Sequence, residues 1–365
     1  MTETVELELR ELTKRYSPEI TIGPISLDVK EGEFFSLLGP SGCGKTTVLR
    51  CIAGFETVTD GEIRIGGQRI DGLPPNRRNV GLVFQSYALF PHLTVFDNIA
   101  FGLTLRRASK SDIEERVRRM LALVDLSDLG ARYPAQLSGG QQQRIAIARS
   151  LVLEPQLLLF DEPLSNLDYK LRVQMRQELR DLQHRLGKTS IYVTHDQSEA
   201  LVLSDRIAVL SQGRIEQIGT PREIYEQPKS AFVAEFIGGS NLIPAKVHET
   251  DSDAARVATE CGLQFTTATH RLPAGTSVLL MIRPERVRLL GPEFAAQGEP
   301  PNKSTARIQD VAYLGEDLHL KLLVGDAQPM TTSLKSGLST RNLAVGGSIQ
   351  ITIDPEDIQL LPGRA

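Results

Sequence analysis

Cysteine is scarce in this chain. Only Cys43, Cys51 and Cys261 occur in 365 residues, which gives no framework of paired bridges and suits a reducing cytosol. Long apolar runs are also missing, since no stretch approaches the ~20 residues that a membrane-crossing helix requires. The N-terminus carries no secretory signal pattern. Neither sign of charge dominates, because 41 basic and 45 acidic residues leave a formal charge of −4. A polyanion-binding surface is therefore not expected, and nucleic acid is not expected as a partner. What remains is a cytosolic chain long enough for two domains.

Against these absences, phosphate-binding chemistry is plentiful. Gly39-Pro40-Ser41-Gly42-Cys43-Gly44-Lys45-Thr46 is a full GxxxxGK[ST] match, the glycine-rich loop whose backbone amides turn toward phosphates. Its setting is right: 34–38 reads as a short apolar strand, and the run from Thr47 to Gly54 reads as the following helix. Lys45 is placed to reach the outer phosphates and Thr46 to offer a hydroxyl to Mg²⁺. Cys43 lies inside the loop, where its thiol is expected to face solvent. A second apolar run, 157–160, reads as a buried parallel strand and ends in Asp161-Glu162-Pro163. Ligands of α/β sheets bind at the carboxyl ends of strands. Asp161 is thus assigned to the metal shell, and Glu162 to the general base that polarises an attacking water.

A third element, Ser138-Gly139-Gly140-Gln141 after Leu137, opens another helix. Ser138 is a good N-cap, and the two glycines leave first-turn amides unshielded, which favours an anion. Together these motifs resemble the ATP-binding cassette (ABC) ATPase family. That resemblance identifies Gln85 with the glutamine that touches Mg²⁺ and water, and His195 with the switch histidine at the γ-phosphate. It equates 165–168 with the D-loop, ending in Asp168 and carrying Asn166 where alanine is frequent. Tyr16 matches the aromatic that stacks on adenine. The resemblance further implies that Ser138 to Gln141 face the ATP held by the phosphate loop of a second copy, so that two chains sandwich two ATP molecules with Mg²⁺.

The expected fold is an α/β ABC ATPase domain over 1–237, with a helical subdomain over about 86–155. A small all-β barrel, similar to the regulatory (TOBE, OB-like) domain of importer ATPases, follows over 238–365. Within the helical subdomain, Ser111-Asp112 read as the cap of a helix over 113–124. The apolar, aromatic stretch 86–96 is expected to dock a membrane partner. The implied assembly is a homodimer beneath two integral-membrane permease subunits, on the cytoplasmic face of the inner membrane. It would be served indirectly by a periplasmic or extracellular solute-binding protein. The stretches 79–92 and 167–172 look most like those of spermidine/putrescine importers. Importers of iron(III), sugars, glycerol phosphate, phosphonates or sulfate, and soluble non-transport ABC ATPases, stand as alternatives.

Overall fold

The computed structural model describes residues 4–251, 254–268, 272–290, 300–325, 327–337 and 340–363. The chain divides into two compact units, Met1–Glu226 and Gln227–Ala365. The short helix Ala231–Phe236, which the sequence reading places at the end of the first domain, belongs to the second unit. Its Ala234 packs on Met281 and Leu361, and the buried Arg283 donates to the carbonyls of Ala234 and Ile237.

In the first unit, a six-stranded sheet runs in the order Arg214–Gly219, Arg206–Ser211, Phe34–Leu38, Thr189–Thr194, Leu157–Asp161, Val80–Val83. All neighbours are parallel except the pair Arg214–Gly219 and Arg206–Ser211. Phe34–Leu38, Leu157–Asp161 and Thr189–Thr194 are buried at every position, as continuous apolar runs in a parallel sheet covered on both faces should be. On one face lie the helix Lys45–Ala53 and a four-stranded antiparallel sheet built from Val5–Arg15, Thr21–Lys30, Asp60–Ile65 and Gln68–Arg69. These close a core around Leu9, Val29, Phe35, Val48, Leu49 and Ile52.

The helical subdomain packs Val95–Leu105 and Lys110–Leu123 against Gly139–Leu151 through Ile99, Leu103, Val117, Leu121, Ile145 and Ala148. The middle helix starts earlier than its sequence suggests: Ser109, not Ser111, caps it by accepting from the Asp112 amide. Asp112 still occupies the first turn, where a carboxylate complements the helix dipole.

The second unit contains two five-stranded antiparallel sheets. Both contribute to one core, with Ile243, Phe265 and Leu280 from one meeting Ala306, Leu320 and Ile351 from the other. The buried Asn241 bridges them, donating to the carbonyls of Ile282 and Thr331 and accepting from the Thr331 amide.

Cys43 corrects an expectation. Its thiol is only 4% exposed and belongs to the core below the phosphate loop. Burial raises its pKa, with Lys45 opposing, and burial pushes Cys51 up to about 11. The thiolate is the reactive form, so alkylation of the folded protein near neutral pH should mark the exposed Cys261 first. Peptide mass mapping is expected to find Cys43 and Cys51 unmodified until the chain is denatured; early labelling of Cys43 would contradict its burial.

Candidate active site

Four neighbouring parallel strands deliver the site. Leu38 pairs with Thr194, Val193 with Asp161, and Phe160 with Val83. The residues just beyond these pairs are Gly39, His195, Glu162 and, one turn further, Gln85. Sequence positions more than a hundred residues apart are thereby set along one sheet edge.

The phosphate loop joins Phe34–Leu38 to the helix Lys45–Ala53. Gly42 and Gly44 have φ of 80° and 104°, a left-handed backbone that glycine adopts without steric penalty. A Cβ on Gly39 would lie 2.3 Å from the Leu210 carbonyl oxygen, and one on Gly44 2.9 Å from the Ile22 side chain. A Cβ on the exposed Gly42 would meet nothing. Gly39 and Gly44 are thus required by packing beneath the loop, and Gly42 by the turn at its open side. Pro40 and Ser41 form the loop's rim, and Thr47 sits in the first helical turn. Lys45 is 4% exposed, and its ammonium donates to the carbonyls of Gly39 at 2.7 Å and Pro40 at 2.9 Å. The Lys45 charge is therefore held inside the curve of the loop.

Thr46 Oγ1 donates to Asp161 Oδ1 at 3.1 Å, joining the loop to the strand Leu157–Asp161. Burial raises the pKa of Asp161, while the Thr46 hydroxyl opposes the shift. Glu162 follows with φ of 46°, an uncommon conformation for a residue with a side chain and one concentrated at functional sites. It is pinned there: its amide donates to the Val193 carbonyl, and its carbonyl accepts from the Ser165 hydroxyl at 2.9 Å. Its carboxylate Oε2 lies 3.1 Å from His195 Nδ1. A carboxylate only accepts, so Nδ1 carries the hydrogen of that bond.

The remaining expected residues occupy separate positions. Tyr16 is 51% exposed, with the Lys14 ammonium 5.1 Å from its ring centroid. Asp168 caps the helix Tyr169–Leu186 by accepting from the Leu171 amide. Gln85 is exposed, and its carbonyl accepts from Asn166 Nδ2 at 2.9 Å. Ser138 and Gln141 form a reciprocal capping box, each side chain accepting from the other's amide. Among the described residues, no hydrogen bond or ion pair joins 138–141 to the phosphate loop.

The glycines of that segment have a second duty that sequence reasoning missed. A Cβ on Gly139 would lie 3.0 Å from Leu167, and one on Gly140 3.1 Å from Met175 Sδ. The helix start thus packs closely on the D-loop and the helix after it. Two further residues also escaped notice. Arg172 donates to the carbonyls of Leu167 at 3.0 Å and Ser165 at 3.4 Å, and approaches Asp196, beside His195, at 3.8 Å. Asn166 ties the same loop to Gln85. Only the departure from the family's frequent alanine pointed to Asn166.

A chain that sets a phosphate-cradling loop, a hydroxyl–carboxylate pair and a carboxylate–imidazole pair on one edge has the parts of a nucleoside-triphosphate hydrolase. Comparison with known proteins agrees. The family described as ABC transporter matches residues 22–165, and the TOBE domain family matches residues 280–361. The spermidine/putrescine import ATP-binding protein PotA of Trichormus variabilis is 51% identical over 324 residues, covering 88% of this chain and 84% of that one. Its namesake from Pseudomonas fluorescens is 49% identical over 363 residues, covering 95% and 94%. Among solved structures, the ATP-binding cassette MJ0796, described as a dimeric post-hydrolysis state bound to ADP and Pi, aligns with a TM-score of 0.52. It is 36% identical, and the match covers 59% of this chain and 99% of that chain. CbiO1 of Clostridium perfringens, described as part of an ABC transporter complex, aligns with a TM-score of 0.57 at 30% identity, covering 61% and 91%. By its sheet edge, its motifs and its likeness to relatives along nearly its whole length, the chain belongs to the ATP-binding protein family of ABC transporters.

Proposed function

We propose that this protein is the ATP-hydrolysing subunit of a polyamine importer, acting as a homodimer on the cytoplasmic face of the inner membrane beneath two permease subunits. The observation that carries the enzymatic part is the sheet edge on which Lys45, Thr46, Asp161, Glu162 and His195 meet. The cargo assignment is supported by relatives about half identical over most of the chain that are named for spermidine and putrescine import. A solute-binding protein outside the membrane would supply the polyamine to the permease.

The chemistry follows from the side chains. The amides of the phosphate loop and Lys45 bind and orient the triphosphate, with Tyr16 against the adenine. Thr46, Asp161 and Gln85 are the oxygen donors suited to Mg²⁺, which prefers few protein ligands alongside phosphate oxygens. When bound, that ion neutralises charge on the phosphates. Glu162 accepts a proton from the water that attacks the γ-phosphorus, and ADP departs as the bond to the γ-phosphate breaks. His195 shares its Nδ1 hydrogen with Glu162, which fixes the orientation of both groups. In the dimer, the helix start at Ser138, Gly139, Gly140 and Gln141 faces the γ-phosphate held by the other copy, offering the Gly139 and Gly140 amides that the capping box leaves out, and Asp168 lies at the same boundary. ATP then favours closure and hydrolysis favours release. The exposed apolar side chains Phe55, Phe84, Phe101 and Leu105 give the permease subunits a surface to grip.

Three substitutions separate these roles. Glu162→Gln should lower turnover by about a hundredfold or more while retaining ATP and trapping a dimer visible by size-exclusion chromatography. Robust hydrolysis by this variant would remove Glu162 from the role of base. Lys45→Ala should weaken ATP binding itself by about tenfold or more, the loss of one charge-assisted contact, measured by titration calorimetry. Ser138→Arg should bind ATP as the wild type does and yet fail to dimerise, and cooperative hydrolysis by it would end the shared-site reading. For the cargo, ATP hydrolysis by the complex reconstituted with its permeases and solute-binding protein should rise with spermidine or putrescine. A response to sugar or sulfate, and none to polyamine, would overturn that assignment.

A further inference from the structure

The loop leaving the strand Val80–Val83 is gripped by side chains from two directions. On one side the buried Asn98 holds it, accepting from the Phe90 amide and donating to the carbonyls of Phe90, Leu93 and Thr94. On the other side the grip comes from the helix Gly139–Leu151, whose start carries Gly139 and Gly140. Ser150 donates to the Leu82 carbonyl at 3.0 Å. Arg149 donates through Nη1 to the Ala88 carbonyl at 2.7 Å and through Nη2 to the Tyr87 carbonyl at 2.9 Å. Its guanidinium also lies 5.5 Å from the Phe90 ring centroid.

The conformation held by Arg149 is one the loop would not keep unaided. Tyr87 and Ala88 have φ of 60° and 49°, and successive left-handed residues with side chains persist only where their surroundings over-determine them. Among the described residues no carboxylate pairs with Arg149, so its two donors are committed to this backbone. Beyond it, Phe90 packs 4.6 Å from Phe101, which belongs to the exposed apolar face. A helix of 13 residues is a stiff rod of about 20 Å. A displacement at its Arg149 end is therefore carried to Ser138 and Gln141.

We propose that Arg149 is a positioning residue that couples the apolar docking face to the phosphate-facing start of its own helix. It does so by clamping the left-handed Tyr87–Ala88 backbone to the helix end, so that a partner pressing on Phe90 and Phe101 moves the helix as well. The inference rests on the proposed docking of membrane subunits at this face. Lysine keeps the charge but lacks the planar fork that spans two carbonyls, so Arg149→Lys isolates the clamp.

The experiment has two arms, both on the full chain. In the first, Arg149→Lys alone should bind ATP and hydrolyse it at wild-type rates, with an unchanged KM. In complex with the permease subunits, its stimulation should fall by about fivefold or more, the lower end of ordinary coupling. Wild-type stimulation in that complex would overturn the proposal. In the second arm, amide hydrogen exchange at 138–145 is followed after Phe90→Ala, with and without Arg149→Lys. Exchange there should accelerate only where Arg149 is present, and an equal response in both backgrounds would overturn the proposal. An unstimulated wild-type complex would instead count against the importer reading, and the exchange arm would still decide the role of Arg149. Should Arg149→Lys fail to fold, Arg149→Gln keeps one planar amide donor that cannot span both carbonyls, and the same losses are expected of it.

Discussion

Parallel pairing of four strands is the constraint on which the rest of this structure depends. Each strand carries a candidate site residue at or within two residues of its last paired position, so the register of the ladder is also the register of the site. A slip of one residue between Leu157–Asp161 and Thr189–Thr194 would remove the Val193 carbonyl from the Glu162 amide and carry the carboxylate from His195. Packing specifies the register, since a one-residue slip would exchange Leu157, Leu159, Ile191 and Val193 of one core with Leu158, Phe160 and Tyr192 of the other. The core beneath the site thus determines the separation between the Glu162 carboxylate and the His195 imidazole as well as stability.

On that frame, the loops are linked through main-chain carbonyls. Asn166 reaches the carbonyl of Gln85, Arg172 those of Ser165 and Leu167, and Arg149 those of Tyr87 and Ala88. A side chain that grips a backbone leaves the loop's own side chains free for ligand or partner. Arginine suits this purpose because its several donors lie in one plane and its charge persists after burial. Burial lowers the pKa of Arg149, yet from so high a starting value that the group stays protonated.

These links explain why some of the site was legible in the sequence and some was not. Lys45, Thr46, Asp161 and Glu162 are residue types that phosphate and proton chemistry asks for, so type and spacing were enough to single them out, and the fold sets them on one sheet edge. Arg149 and Arg172 bond to carbonyls, which every residue possesses, and nothing in the partner's identity announces the pairing. Cys43 was misjudged for a related reason. The motif reports where backbone amides point and leaves the direction of the Cys43 side chain open, and the fold turns it into the core. The misplaced helix cap has a smaller cause: Ser109 and Ser111 are both competent acceptors, and backbone geometry alone chooses between them. The β-rich second unit was legible as a class, because its strands alternate and are punctuated by turns, whereas the Asn241 bridge between its sheets depends on a fold that pattern alone does not specify.

The start of the helix Gly139–Leu151 shows how one short motif satisfies two demands at once. Anion binding asks for unshielded amides, which glycine provides at any helix start. Close packing on Leu167 and Met175 asks for glycine at the same two positions for a steric reason. The capping box meanwhile engages the amides of Ser138 and Gln141 with each other's side chains, so the motif's own polar groups stay paired without a ligand. It follows that the motif is held in shape by its own chain. Because Gly139 packs against Leu167, the helix start and the loop ending in Asp168 form one packed surface. In the proposed dimer, a copy closing on ATP would meet that single surface.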